Sequence, residues 1–200
     1  MSVKNIIFDL GAVMFDWNPK LISETFTSDV ELQKRIQNEL FFHQNWLDFD
    51  CGLVTEEDAI RIASEQLTVS LQASERLCEL VKKSLVLLPQ TEHVLKTAKN
   101  KNYNVYCLSN ISPELFTFLS AKHSLFDLFD GIVTSGAEKT AKPGKPIFEI
   151  LIERFELQPE ECLFIDDSAA NTKTATELGI TSITFKVLAS CYEEIGRYIS

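Results

Sequence analysis

The sequence predicts an α/β fold, a Rossmann-like parallel sheet core with an inserted α-helical cap subdomain. One observation behind this is alternation. Short apolar runs rich in β-branched and aromatic residues (Ile6-Ile7-Phe8, Tyr103 to Leu108, Gly131 to Thr134, Cys162 to Ile165) alternate with helical periodicities, the signature of parallel strands joined by crossovers. A second is that three of these runs stop at polar residues: Asp9, Ser109-Asn110 and Asp166-Asp167. A third is the length of the first crossover, which holds far more residues than one helix needs. We therefore assign residues 1–15 and 89–200 to the core and 16–88 to the cap.

Taken in order, Ile6-Ile7-Phe8 reads as a strand buried on both faces, and Asp9 sits where it gives way to a glycine-containing loop. Pro19 opens a first helix, and Asp29 caps a second through Val30, Leu32, Ile36, Leu40 and Phe41. A third piece holds Trp46, Leu47 and Phe49 and stops at Gly52. His43 and Trp46 read as packed residues rather than substrate contacts. Thr55 with Asp58 forms a capping signal for a helix through Leu67, and a fifth helix spans roughly Gln72 to Leu88. Beyond Pro89 come a helix from Thr91 to Lys101, the second strand, and a helix opened by Ser112-Pro113-Glu114. The strand at Gly131 leads into a polar loop from Ser135 to Gly144, then a helix through Ile147, Phe148 and Leu151. After the fourth strand, Ser168 caps a helix that closes at Gly179, and Thr181 to Phe185 is the last strand.

Composition narrows the function. A hydrophobic content of 45% with 24% charged residues is that of an ordinary globular protein, and a formal net charge of −10 argues against nucleic acid or an anionic membrane as partner. Five scattered cysteines without CxxC spacing read as reduced thiols. The chain shows neither a signal-peptide pattern nor a membrane-length apolar run, so a cytoplasmic location is expected.

In a parallel sheet the ends of the strands share one edge, so Asp9, Ser109, Asn110, Asp166 and Asp167 can converge there, with Lys142 from the polar loop. Carboxylates so gathered repel unless a cation sits among them, and hard oxygen ligands favour Mg²⁺. A lysine and a serine hydroxyl beside such an ion suit a phosphate group.

The set Phe8-Asp9-Leu10-Gly11, Leu108-Ser109-Asn110, Lys142-Pro143 and Phe164-Ile165-Asp166-Asp167-Ser168 with Asn171 resembles, in order, the four motifs of the haloacid dehalogenase (HAD-like) hydrolase superfamily. Trp46 with Asp50-Cys51-Gly52-Leu53-Val54-Thr55 resembles a cap segment of the subgroup that includes α-D-glucose-1-phosphate phosphatase and the phosphatase domain of soluble epoxide hydrolase. The resemblance implies Mg²⁺-dependent hydrolysis of a small phosphorylated metabolite, a sugar phosphate among the candidates, through an aspartyl-phosphate. It makes Asp9 the nucleophile and assigns the phosphoryl oxygens to Ser109, Asn110 and Lys142. The ion would be held by Asp9, the Gly11 carbonyl and Asp167, with Asp166 as a direct or water-mediated ligand, while Ser168 and Asn171 position the loop. The chain departs from the family at Gly11, where most of these phosphatases carry the aspartate that protonates the leaving oxygen. Three expectations remain open: Asp16 supplies the acid, the leaving group departs without one, or the protein is a weak catalyst that works by binding. A 2-haloacid dehalogenase-type reaction is the alternative chemistry.

Overall fold

The computed structural model describes residues 2–199. Strands β1 (Asn5–Phe8), β2 (Asn104–Ser109), β3 (Gly131–Thr134), β4 (Cys162–Asp166) and β5 (Thr181–Thr184) form one sheet in the order β3-β2-β1-β4-β5, every pairing parallel. Central β1 explains the unbroken apolar run. Ile6 and Phe8 face one hydrophobic cluster and Ile7 faces the other, and all three are fully buried. Each such side chain contributes about 1.5–3 kcal/mol on leaving water. The registers Phe8↔Cys107 and Phe8↔Ile165 bring Asp9, Ser109-Asn110 and Asp166-Asp167 to the same edge.

Between β1 and the first helix of the returning chain lie α1 (Pro19–Phe26), α2 (Val30–Arg35), α3 (Gln44–Asp50), α4 (Glu56–Leu67) and α5 (Leu71–Ser84). Local chemistry opens each one. The side chains of Asn18, Asp29, His43, Thr55 and Ser70 accept N–H groups of the first turns, and Thr55 Oγ1 also donates to Asp58. His43 is thus a helix cap. Two expectations for this segment are corrected. The helix expected to run from Asp29 through Phe41 changes after Arg35 into a π-helical turn, Ile36–Leu40, with Phe41 N–H bonded to Ile36 O at 3.2 Å. The helix expected to reach Leu88 stops at Ser84, because Leu85 to Leu88 run extended beside the outgoing chain. Asp16 N–H donates to Val86 O and Leu88 N–H to Met14 O, both at 2.8 Å, so the two connections are zipped together.

The remaining helices are α6 (Pro89–Asn100), α7 (Pro113–Lys122), α8 (Ser135–Glu138), α9 (Lys145–Arg154), α10 (Ala169–Glu177) and α11 (Ala189–Tyr198). The polar loop expected from Ser135 therefore begins as the short α8. Ser168 does not cap α10 through its side chain; its N–H is instead taken by Asp166 Oδ1 at 2.8 Å. The sequence reading had no helix at α11, whose Tyr192 and Ile195 are buried, with Tyr192 edge-on to Phe185 and bonded to Thr91 at 2.9 Å. No helix among the described residues is long and apolar enough to cross a membrane, and the five cysteines are unpaired.

Candidate active site

Asp9 leaves β1 with its main-chain N–H bonded to Ile165 O, which fixes the turn into the Leu10-Gly11 loop. Its Oδ1 accepts the Leu10 N–H at 2.8 Å and lies 2.9 Å from Lys142 Nζ. Lys142 is almost fully buried, and its ammonium also reaches Asp166 Oδ2 at 2.6 Å and Leu108 O at 2.8 Å. A buried lysine persists as a charge only with such partners. Burial alone would depress its pKa, but Asp9 and Asp166 hold it above the ordinary lysine value.

Asp166 is bonded through both oxygens. Its Oδ1 accepts Ser168 N–H and Asn171 Nδ2, and its Oδ2 accepts Lys142 Nζ and Asn171 Nδ2. These contacts take up much of the carboxylate's acceptor capacity, and through them Asp166 orients Lys142. Asp167 lines the cavity, and a ligand atom from each of Asp9, Asp166 and Asp167 lies within 4.8 Å of the others. Burial pushes the Asp9 carboxyl up to about 7, with Lys142 pulling down and the charges of Asp166 and Asp167 pushing up. The Asp167 carboxyl is raised by burial and then by Asp166. Three carboxylates thus face one lysine, an imbalance that a divalent cation corrects.

Asn110 does not present its side chain to a ligand. Its amide is locked in a reciprocal pair with the Lys142 main chain, donating to Lys142 O and accepting Lys142 N–H, each at 2.9 Å. The side chain of this expected phosphate contact therefore braces the lysine loop, while the residue itself lines the cavity. Ser109 is the opposite case, since its hydroxyl is buried with no partner and its residue lines the cavity. Such a group costs about 1–3 kcal/mol unless a ligand satisfies it. Gly11 also lines the cavity. Asp16 does not; it belongs to the zipped connection, where its N–H meets Val86 O.

The cavity has a volume of about 350 Å³. Its polar floor comes from the strand ends and its roof from Trp17, Phe41, Phe42 and Trp46. Trp46 stacks on Trp17 at 5.8 Å and meets Phe41 edge-on at 4.8 Å. Trp46, read from sequence as packing, is both packed and a wall. Asp50, at the end of α3, lines the same cavity and was not singled out as a reacting group, because nothing in the sequence shows where α3 docks.

A family model for haloacid dehalogenase-like hydrolases matches residues 4–179. The chain belongs to this family of hydrolytic enzymes. Among curated relatives, the sesquiterpene phosphatase astK of Aspergillus oryzae is 30% identical over 195 residues, 96% of this chain and 95% of that protein. The D-ribitol-5-phosphate phosphatase of Bacteroides thetaiotaomicron is 26% identical, covering 88% and 89%. Among solved structures, a HAD family enzyme from B. thetaiotaomicron, in complex with magnesium and inorganic phosphate, superposes with a TM-score of 0.75 at 26% identity over 92% of this chain and 95% of that one. An L-2-haloacid dehalogenase from Xanthobacter autotrophicus shares the fold, with a TM-score of 0.65 at 19% identity over 90% and 76%.

Proposed function

We propose that the chain is a Mg²⁺-dependent phosphomonoesterase acting through an aspartyl-phosphate, and that residues 16–88 form the cap that selects its substrate. The unpartnered, buried Ser109 hydroxyl beside Asp9 and Lys142 carries this reading, because together they offer a donor, a cation and a carboxylate to one phosphoryl group. The donor set fits Mg²⁺: Asp9, Asp167 and the Gly11 carbonyl would hold it directly, and Asp166 would act through water or through Lys142. When bound, the ion supplies charge neutralisation between the phosphoryl group and the carboxylates.

The Asp9 carboxylate attacks phosphorus, and the bond to the leaving oxygen breaks. Ser109 donates to a phosphoryl oxygen, and the Lys142 charge beside Asp9 offsets the negative charge of the transferring group. Water then attacks the phosphorus of the aspartyl-phosphate and frees Asp9. The substrate we infer is the phosphate of a predominantly apolar alcohol. Phe15, Trp17, Phe41, Phe42 and Trp46 give the cavity a hydrocarbon wall. The resemblance to a sesquiterpene phosphatase supports the same class.

The test is phosphate release from matched panels of isoprenyl, n-alkyl and sugar monophosphates, with Mg²⁺ or EDTA, for the native protein and Asp9→Asn. Turnover that needs both metal and Asp9 and ranks apolar esters first is expected. A sugar phosphate ranked first would reject the apolar substrate but keep the phosphatase. Halide release from a 2-haloacid without phosphate release would reject both.

A further inference from the structure

The reaction as derived lacks a proton for the departing alcohol oxygen, since Gly11 carries no side chain and Asp16 lies outside the cavity. One more carboxyl does line it. Asp50 ends α3, facing the cavity that Asp9 lines from the sheet side. A leaving group bound to a phosphorus at Asp9 projects away from the sheet, toward the helical roof where Asp50 stands.

The backbone around Asp50 is tied to the core by hydrogen bonds. Ser135 Oγ, at the start of α8, donates to Asp50 O at 2.6 Å, and Lys139 Nζ donates to Gly52 O at 2.6 Å. Gly52 sits at φ +59° and so close to α8 and α7 that an added Cβ would lie 3.0 Å from both Gly136 O and Pro113 Cγ. The turn is thereby held in register with the strand ends. Trp46, one turn before Asp50 on α3, lines the same cavity. Burial holds the Asp50 carboxyl well above the ordinary carboxylate range and Asp9 adds to the rise, while Trp46 and Ser112 act against it. A carboxyl raised in this way and standing in the cavity wall is suited to donate a proton.

We propose that Asp50 is the general acid of the reaction, delivering its proton to the leaving oxygen from the roof of the cavity. This rests on the phosphomonoesterase reading above. As the Asp9 oxygen bonds to phosphorus, the P–O bond to the alcohol breaks and its electron pair goes to the leaving oxygen. That oxygen takes the Asp50 proton and departs as a neutral alcohol. In the second half the Asp50 carboxylate takes a proton from the water that attacks the aspartyl-phosphate, so both carboxyls return to their starting states.

The experiment compares a nitrophenyl phosphate with a primary alkyl phosphate of similar size, both with Mg²⁺. The first has a leaving group that needs no proton and the second has one that does. For the native protein, kcat/KM is expected to depend only weakly on which ester is used. For Asp50→Asn, which keeps size and hydrogen-bonding capacity, a loss of at least about 100-fold is expected on the alkyl ester and less than about tenfold on the nitrophenyl ester. Gly11→Asp added to Asp50→Asn should recover alkyl turnover, and the site has room, since a Cβ at Gly11 meets nothing nearer than Trp17 Cβ at 3.7 Å. Equal losses on both esters, or none on either, overturn the proposal. A steep preference for the nitrophenyl ester in the native protein overturns it without any variant. A folded native protein inert toward both esters instead removes the phosphomonoesterase reading, and this proposal with it.

Discussion

Ser109 holds a hydroxyl that the fold buries without a partner, so its energetics and its chemistry pull in opposite directions. Ser109→Ala is expected to leave the melting temperature unchanged or raise it, because the orphaned group is removed, while KM for phosphate esters rises by about 10-fold or more as one donor is lost. Calorimetry and steady-state kinetics on one preparation check both halves. Asp9 gives a signed pH effect. Its carboxyl moves from 3.8 to about 7 on folding without metal, so between those values the native state keeps a proton that the unfolded chain has released. Its contribution to stability is thus greatest below about pH 4 and is lost as the pH rises through about 7. Mg²⁺ would bind the ionised form, so any rise in Tm that it causes should be larger at about pH 8 than at about pH 5, as thermal melts with and without the ion would show. Asp9, Ser109, Lys142 and Asp167 were legible in the sequence because each stands at a strand end or in a short motif. Asp166 was legible as a site residue but not as one whose acceptors are largely taken, and Asn110 not as a lysine-loop brace. Both depend on partners 24 and 32 residues away.

Among the elements, β1 to β5 and the helices other than α8 and α11 were readable from periodicity and caps, since buried faces and first turns leave local marks. The missed features are set by contacts distant in sequence. The end of α5 is decided by pairing with the segment after β1, and α11 is held by core residues such as Phe185 and Thr91. The docking of α3 is likewise tertiary, and it turns on Gly52. Gly52→Ala would place a methyl group 2.5 Å from Lys139 Nζ and force a side chain into a left-handed backbone conformation. We expect a loss of about 1–3 kcal/mol in denaturant unfolding. Activity should fall further than stability explains, because the α3–α8 contact carries a wall of the cavity.

At the scale of the whole molecule, the cavity divides between a polar floor built on the sheet and an aromatic roof built on the helical segment. On the phosphomonoesterase reading, floor residues would meet the phosphate common to every candidate ester, whereas roof residues would meet what varies. Along a series of n-alkyl phosphates, KM should fall about fourfold per added methylene, the worth of roughly 0.8 kcal/mol each, until the volume of about 350 Å³ is filled. Trp46→Ala should flatten that series, which an initial-rate assay would reveal. The grip of Ser135 and Lys139 on this roof has its own consequence, for both seize main-chain oxygens, at Asp50 and Gly52. A latch of that kind is blind to the letter written at position 50. A substitution at that position can therefore change the cavity wall while the latch stays shut.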